Sequence, residues 1–139
     1  MRNTNLIIAR GLLIIGLVIG LKSWWMTITH VGDESYQLVS EFTKGSYHTW
    51  YHAFREAIAD IAAMLVLLLI FFGKSHWRTP KTWWVSLILM MGYYAPFWIG
   101  APFYPQLAAP NMGAEMVHLA MAIPPVIGLF LAKKTFIKM

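Results

Sequence analysis

What most constrains this chain is a repeated pattern. Four apolar stretches, each close to twenty residues, are separated by shorter segments that hold most of the charge. They run approximately over 6–25, 50–72, 82–103 and 112–132. A helix needs about 20 residues to cross the hydrocarbon layer of a bilayer. Helices and closed barrels alone satisfy their backbone groups there. Only 12% of the 139 residues are charged, against about a quarter in a typical water-soluble domain. The sequence is therefore read as an all-α integral membrane protein, with residues 1–139 forming one four-transmembrane-helix antiparallel bundle.

The charges set an expected orientation. Arg2, Arg10, Lys74, Arg78, Lys81, Lys133, Lys134 and Lys138 lie at the N-terminus, the second connection or the C-terminus. Lys22, Lys44 and Arg55 lie on the other side, as do the acidic residues Asp33, Glu34, Glu41, Glu56, Asp60 and Glu115. The positive-inside rule then puts both termini and 73–81 in the cytoplasm. The expected location is multi-pass in a bacterial inner (plasma) membrane, with the lipid bilayer as first partner. The net charge of +5 is thus a topology signal. The cations form no aromatic-interleaved patch, so no nucleic-acid partner is expected. The absence of cysteine excludes disulfides, c-type haem and a Cys-held iron–sulfur cluster. The first stretch is read as a retained span, because Lys22-Ser23-Trp24-Trp25 offers no small-x-small cleavage site.

Local signals mark the connections. Asp33 and Glu34, followed by Tyr36, Val39 and Phe42 at three-residue spacing, suggest a short interfacial helix within 26–49, closed by Lys44-Gly45. A solvated loop with scattered aromatics fits the same residues. Gly73 reads as a helix C-cap, Thr79-Pro80 as a helix start and Asn111 as an N-cap. The short turns make spans two and three, and spans three and four, antiparallel neighbours. Pro124-Pro125 should kink or break span four, leaving the Ala120 and Met121 carbonyls without their usual intrahelical partners.

Ionisable residues inside the apolar stretches are costly and usually face a bundle interior or a wet cavity. On span two, His48, His52, Glu56 and Asp60 recur every four residues with Arg55 beside them, and Ala59 and Ala63 on the same arc permit close helix approach. Glu115 and His118 share a face of span four. Counted from the outer surface, His52 and Glu56 come level with Glu115 and His118. Asp60 lies deeper, with Tyr93 and Tyr94 at similar depth. The two polar pairs are expected to meet across a contact between spans two and four.

Several chemistries fit such a cluster. His52, Glu56, Glu115 and His118 are a ligand set for a divalent transition metal. His52 with His118 is the pair that would ligate a b-type haem. Glu115-x-x-His118 is half of a di-iron pattern, but its second half is missing. A relay of a proton, cation or small polar ligand through His48, His52, Arg55, Glu56, Asp60, Glu115 and His118 needs no fixed coordination geometry. A plain structural network, with Arg55 neutralising a carboxylate, uses the same residues. The leading functional reading is a small polytopic protein whose outer-leaflet His/Glu/Asp/Arg cluster binds or relays a proton, cation or small polar ligand. The alternatives are a non-catalytic accessory subunit of a larger membrane complex and a membrane oxidoreductase using metal or haem. Four spans make a small solute pathway, so a homo-oligomer or a larger complex is expected.

Overall fold

The computed structural model describes residues 2–36, 48–95, 99–104, 109 and 111–137. Among them every regular element is helical: α1 (Arg2–Ile28), α2 (His48–Phe72), α3 (Pro80–Tyr93), the single turn α4 (Ala101–Phe103) and α5 (Met112–Phe136). Two helices, Thr4–Ile28 and Met112–Phe136, are long and apolar enough to cross a membrane. Helix α2 is as long, but carries Arg55, Glu56 and Asp60 in its first half, and α3 has 14 residues. Within the third expected span, 82–103, α3 ends at Tyr93, and Ile99–Gly100 and the turn Ala101–Phe103 are helical again. Pro96 lies outside the described residues.

The helix boundaries follow local chemistry. The Thr79 hydroxyl accepts from the Thr82 amide while the Thr82 hydroxyl accepts from the Thr79 amide, with Pro80 in the first turn of α3. This reciprocal pairing satisfies two of the amide donors that a helix start leaves unpaired. The Asn111 side chain does the same for α5, accepting from Ala114 N at 2.9 Å. Gly73 ends α2 without the expected left-handed conformation, since only Gly32 has positive φ among the described residues. At Gly73 a Cβ would collide with the Leu69 carbonyl.

Two guanidinium groups finish the end of α2. Arg10 Nε donates to the Phe71 carbonyl at 2.9 Å, and an Arg78 nitrogen donates to the Gly73 carbonyl at 2.7 Å. Cations at a helix C-terminus satisfy its open carbonyls and its negative dipole end. Burial and the nearby Arg10 charge lower the Arg78 pKa from its ordinary value.

All four long helices pack antiparallel to their neighbours. Arg10 meets Phe71 and Trp24 meets Ala57, so α1 and α2 run in opposite directions. Trp83 Nε1 donates to the Leu129 carbonyl and the Tyr94 hydroxyl to the Met121 carbonyl, which orients α3 against α5. Helices α1 and α3 each pack against both α2 and α5, whereas α2 and α5 are less closely packed and meet through Phe71 and Phe136, ring centres 5.5 Å apart.

The tightest seam joins α1 to α5. A Cβ at Gly16 would overlap the Pro125 ring and lie 2.7 Å from the Met121 carbonyl, and one at Gly128 would lie 2.9 Å from the Ala9 carbonyl. Small residues let helix backbones approach this closely. Helix α5 stays continuous through Pro124 and Pro125, so the sequence-based break does not occur. The Met121 carbonyl, which Pro125 cannot serve, takes the Tyr94 hydroxyl at 2.9 Å instead.

The interior holds Leu13, Phe71, Trp83, Met90, Leu129 and Phe136. The exterior is apolar as well, with Ile7 66% exposed on α1, Leu65 54% on α2, Ile88 67% on α3 and Phe130 52% on α5.

Candidate functional site

The antiparallel packing gathers charge by sign. The ends of α2 and α5 and the starts of α1 and α3 make a basic end, with Arg10, Lys74, Arg78, Lys81, Lys133 and Lys134. The opposite end carries the histidines and carboxylates of α2 and α5.

The turn that leads away from α1 at this polar end is locally built. Asp33 accepts from the Ser35 amide at 2.9 Å and its hydroxyl at 2.6 Å, and these bonds hold the Asp33 carboxyl below the ordinary carboxylate range. His30 stacks on Tyr36 with ring centres 3.7 Å apart. Trp50 Nε1 donates to the Asp33 carbonyl at 2.9 Å and ties the start of α2 to this turn. The expected interfacial helix is represented by one 3₁₀ turn, Glu34–Tyr36. Val39, Phe42 and Lys44-Gly45 lie outside the described residues.

On α2 the polar side chains line up along the helix. His52 Nε2 and His48 Nε2 are 2.9 Å apart, and an Arg55 nitrogen stands 3.1 Å from His52 Nδ1. Arginine only donates, so His52 Nδ1 accepts; a neutral His52 then carries its hydrogen on Nε2 and donates to His48. Both ring nitrogens of His52 are therefore engaged on its own helix. Arg55 also lies 5.8 Å from the centre of the Tyr51 ring. Glu56 is exposed, and its charge acts on Asp60 one turn further in. Asp60 is half-buried, and its carboxylate interacts with the Tyr93 hydroxyl of α3. Tyr93 meets Tyr94 edge to face at 4.9 Å, and Tyr94 carries the contact on to α5.

Depth along the bundle is set by Gly20 of α1, where a Cβ would lie 3.0 Å from Met64 Cε and 3.5 Å from Met121 Sδ. Met64 and Met121 thus mark one level. At 1.5 Å per residue, Asp60 stands roughly 6 Å and His118 about 4.5 Å toward the polar end, while His52 stands roughly 18 Å away. Asp60, not His52, shares the level of His118. Glu56 and Glu115, at roughly 12 and 9 Å, remain comparable.

Spans two and four meet at the basic end, where the Phe71 and Phe136 ring centres are 5.5 Å apart, and the expected polar pairs do not come level as the sequence suggested. The small residues that govern close approach are Gly16 and Gly128 with Ala9, so α1 takes the place beside α5 that Ala59 and Ala63 suggested for α2. Ala59 is exposed. Glu115 and His118 are half-buried on α5, with His118 Nδ1 itself buried. Among the described residues no three His, Asp or Glu side chains are grouped to hold a metal ion, so His52, Glu56, Glu115 and His118 are not assembled as one ligand set. His52 and His118, the candidate haem pair, sit at different levels, roughly 18 and 4.5 Å from that of Met64 and Met121.

Sequence reasoning placed Tyr93 and Tyr94 at the depth of Asp60 without assigning them a role. That depth match was the available signal for the Asp60–Tyr93 interaction. The Trp24 indole donates to the Ala57 carbonyl at 3.0 Å, one turn from Asp60.

No protein-family model, curated protein or solved structure matches this chain.

Proposed function

We propose that this protein is a multi-pass membrane bundle of four antiparallel spans, with its basic end in the cytoplasm, that binds and relays a proton or small cation along α2. The observation that carries the relay is the line of polar groups from His48 through His52 and Arg55, then Glu56 and Asp60, to Tyr93. It starts at an exposed helix end and finishes at a half-buried carboxylate between two helices. Such a carboxylate in an apolar surround is costly unless it is solvated, paired or protonated, which makes it a natural holding point for a cation.

The membrane reading is supported by the exterior. Large apolar side chains are exposed on all four long helices, and a water-soluble monomer rarely carries so continuous an apolar surface. Single cysteines at Ser35 and Ser75, both exposed, test it on a cysteine-free background. They should react with an impermeant thiol reagent from opposite sides of sealed vesicles. Labelling from one side only would refute the four-span topology.

For the relay, the full chain is reconstituted into vesicles holding a pH-sensitive dye and driven by an imposed potential. Proton entry should fall at least tenfold in Asp60→Asn and in His52→Ala, and stay unchanged in Glu34→Gln. Unaltered entry in Asp60→Asn, or none in the parent protein, would dismiss the relay. The accessory-subunit reading has its own support: Arg55, Glu56, Ala59 and Ala62 are all exposed on α2, a face on which a partner helix would pack closely and meet two charges.

A further inference from the structure

At the basic end, Asn5 of α1 and the last turns of α5 enclose a groove of about 400 Å³, lined by Asn5, Phe130, Leu131, Lys133, Lys134 and Ile137. The cations around it differ in how they are employed. Arg10 and Arg78 are held by the Phe71 and Gly73 carbonyls at the end of α2. Lys133 and Lys134 are exposed, and Lys133 lies 5.2 Å from the centre of the Trp83 ring. No acidic side chain among the described residues stands at this end, since Asp33, Glu34, Glu56, Asp60 and Glu115 all belong to the other. Among the described residues, two ammonium groups and no carboxylate side chain therefore border a groove whose remaining wall is largely apolar. Basic pockets between helices on the cytoplasmic side suit anionic lipid headgroups.

We infer that this groove binds an anionic phospholipid, and this assignment rests on the membrane reading above. The phosphodiester sits between Lys133 and Lys134 with the Asn5 amide as a further donor, and the acyl chain descends over the exposed Phe130 and Leu131. The combination of charge and apolar wall favours a lipid over a free anion, because a free anion gains nothing from Phe130 or Leu131.

The test is competition between phosphatidylglycerol and phosphatidylcholine for the detergent-solubilised full chain, read by native mass spectrometry. Each lysine near an anionic headgroup contributes about fivefold. Phosphatidylglycerol adducts should therefore exceed phosphatidylcholine adducts by roughly tenfold or more. Lys133→Gln with Lys134→Gln should bring the ratio close to one. Lys133→Arg with Lys134→Arg should keep it, showing that the loss is of charge and not of folding. Lys74→Gln with Lys81→Gln removes the same charge from the same end outside the groove and should keep the ratio too. An equal loss from both glutamine pairs would mean a diffuse basic surface and overturn the site. Displacement of the lipid by millimolar inorganic phosphate would mean a free-anion site and overturn it as well. One-sided labelling of the Ser35 and Ser75 cysteines sinks the membrane reading and this site with it. Opposite-sided labelling with equal lipid binding sinks the lipid site alone.

Discussion

The two ends of the bundle use their ionisable groups differently. At the basic end the guanidiniums serve the backbone: Arg10 and Arg78 close the last carbonyls of α2, and the Thr79–Thr82 pair closes the first amides of α3 a few residues later. At the polar end the side chains serve one another. His48, His52 and Arg55 form a hydrogen-bonded line on a single helix, and Asp60 turns to Tyr93. Groups that satisfy backbone carbonyls are fixed by the fold they hold together. Groups that satisfy each other can change partners without opening a helix, which is why the proposed relay is assigned to the polar end.

The difference depends on a shared seam that keeps both ends in register. Gly16→Leu should have the largest effect of any single change. Its Cβ alone would overlap Pro125, and the added bulk has no soft neighbour to displace. Overpacking of this kind costs typically ~1–3 kcal/mol, and more where backbone must move. Thermal unfolding in detergent should show a loss at or above the top of that range, together with disruption at both ends.

Next comes the contrast between arginines. Arg78→Ala should destabilise the protein by about 1.5–3 kcal/mol, the usual worth of a hydrogen bond to a charged group. Arg55→Ala, at an exposed position on α2, should change stability by less than about 0.5 kcal/mol. It should instead release His52 Nδ1 and alter relay activity. Equal stability losses in the two variants would abolish the distinction between the ends.

Tyr94→Phe sharpens the comparison at mid-depth. It removes the donor to the Met121 carbonyl, a buried acceptor that Pro125 cannot serve. The expected loss in thermal unfolding is about 1–3 kcal/mol. Hydrogen exchange should quicken near Met121 and stay unchanged at the α2 C-terminus.

The smallest effects are at the caps, one for each end. Thr79→Ala and Asn111→Ala should each cost about 1 kcal/mol, read as lower melting temperatures in detergent. Asp33→Asn should matter less, because most of the turn it holds, Val31, Gly32 and Glu34–Tyr36, is exposed. Its carboxyl is depressed by Ser35, so whatever the charged form adds is present above the ordinary carboxylate range and is lost as pH falls through the lowered value. His30–Tyr36 stacking, followed by fluorescence, should weaken only on the acidic side of that range.

Much of this was legible along the chain. The caps at Thr79 and Asn111, the end of α2, the start of α5 and the sorting of charge between two ends all depend on residues within a few positions of each other. The neighbours of α3 followed from short connections. The freed Met121 carbonyl was legible too, because a proline's effect four residues back is local chemistry. The length of α3 was not: an apolar run shows where a helix is affordable in lipid, not where it ends.

What only the tertiary structure decided is which helices touch and at what height. Gly16, Gly20 and Gly128 on one hand, and Ala59 and Ala63 on the other, look alike in sequence, since each merely permits close approach. Permission becomes contact only where a partner has a matching surface, and the Pro125 ring, the Met121 carbonyl and the Ala9 backbone fit the glycines. That match sets α1 beside α5, leaves α2 the lesser neighbour of α5, and goes with a His52 that is out of level with His118. The charges were determined by the sequence; their partners were determined by shape.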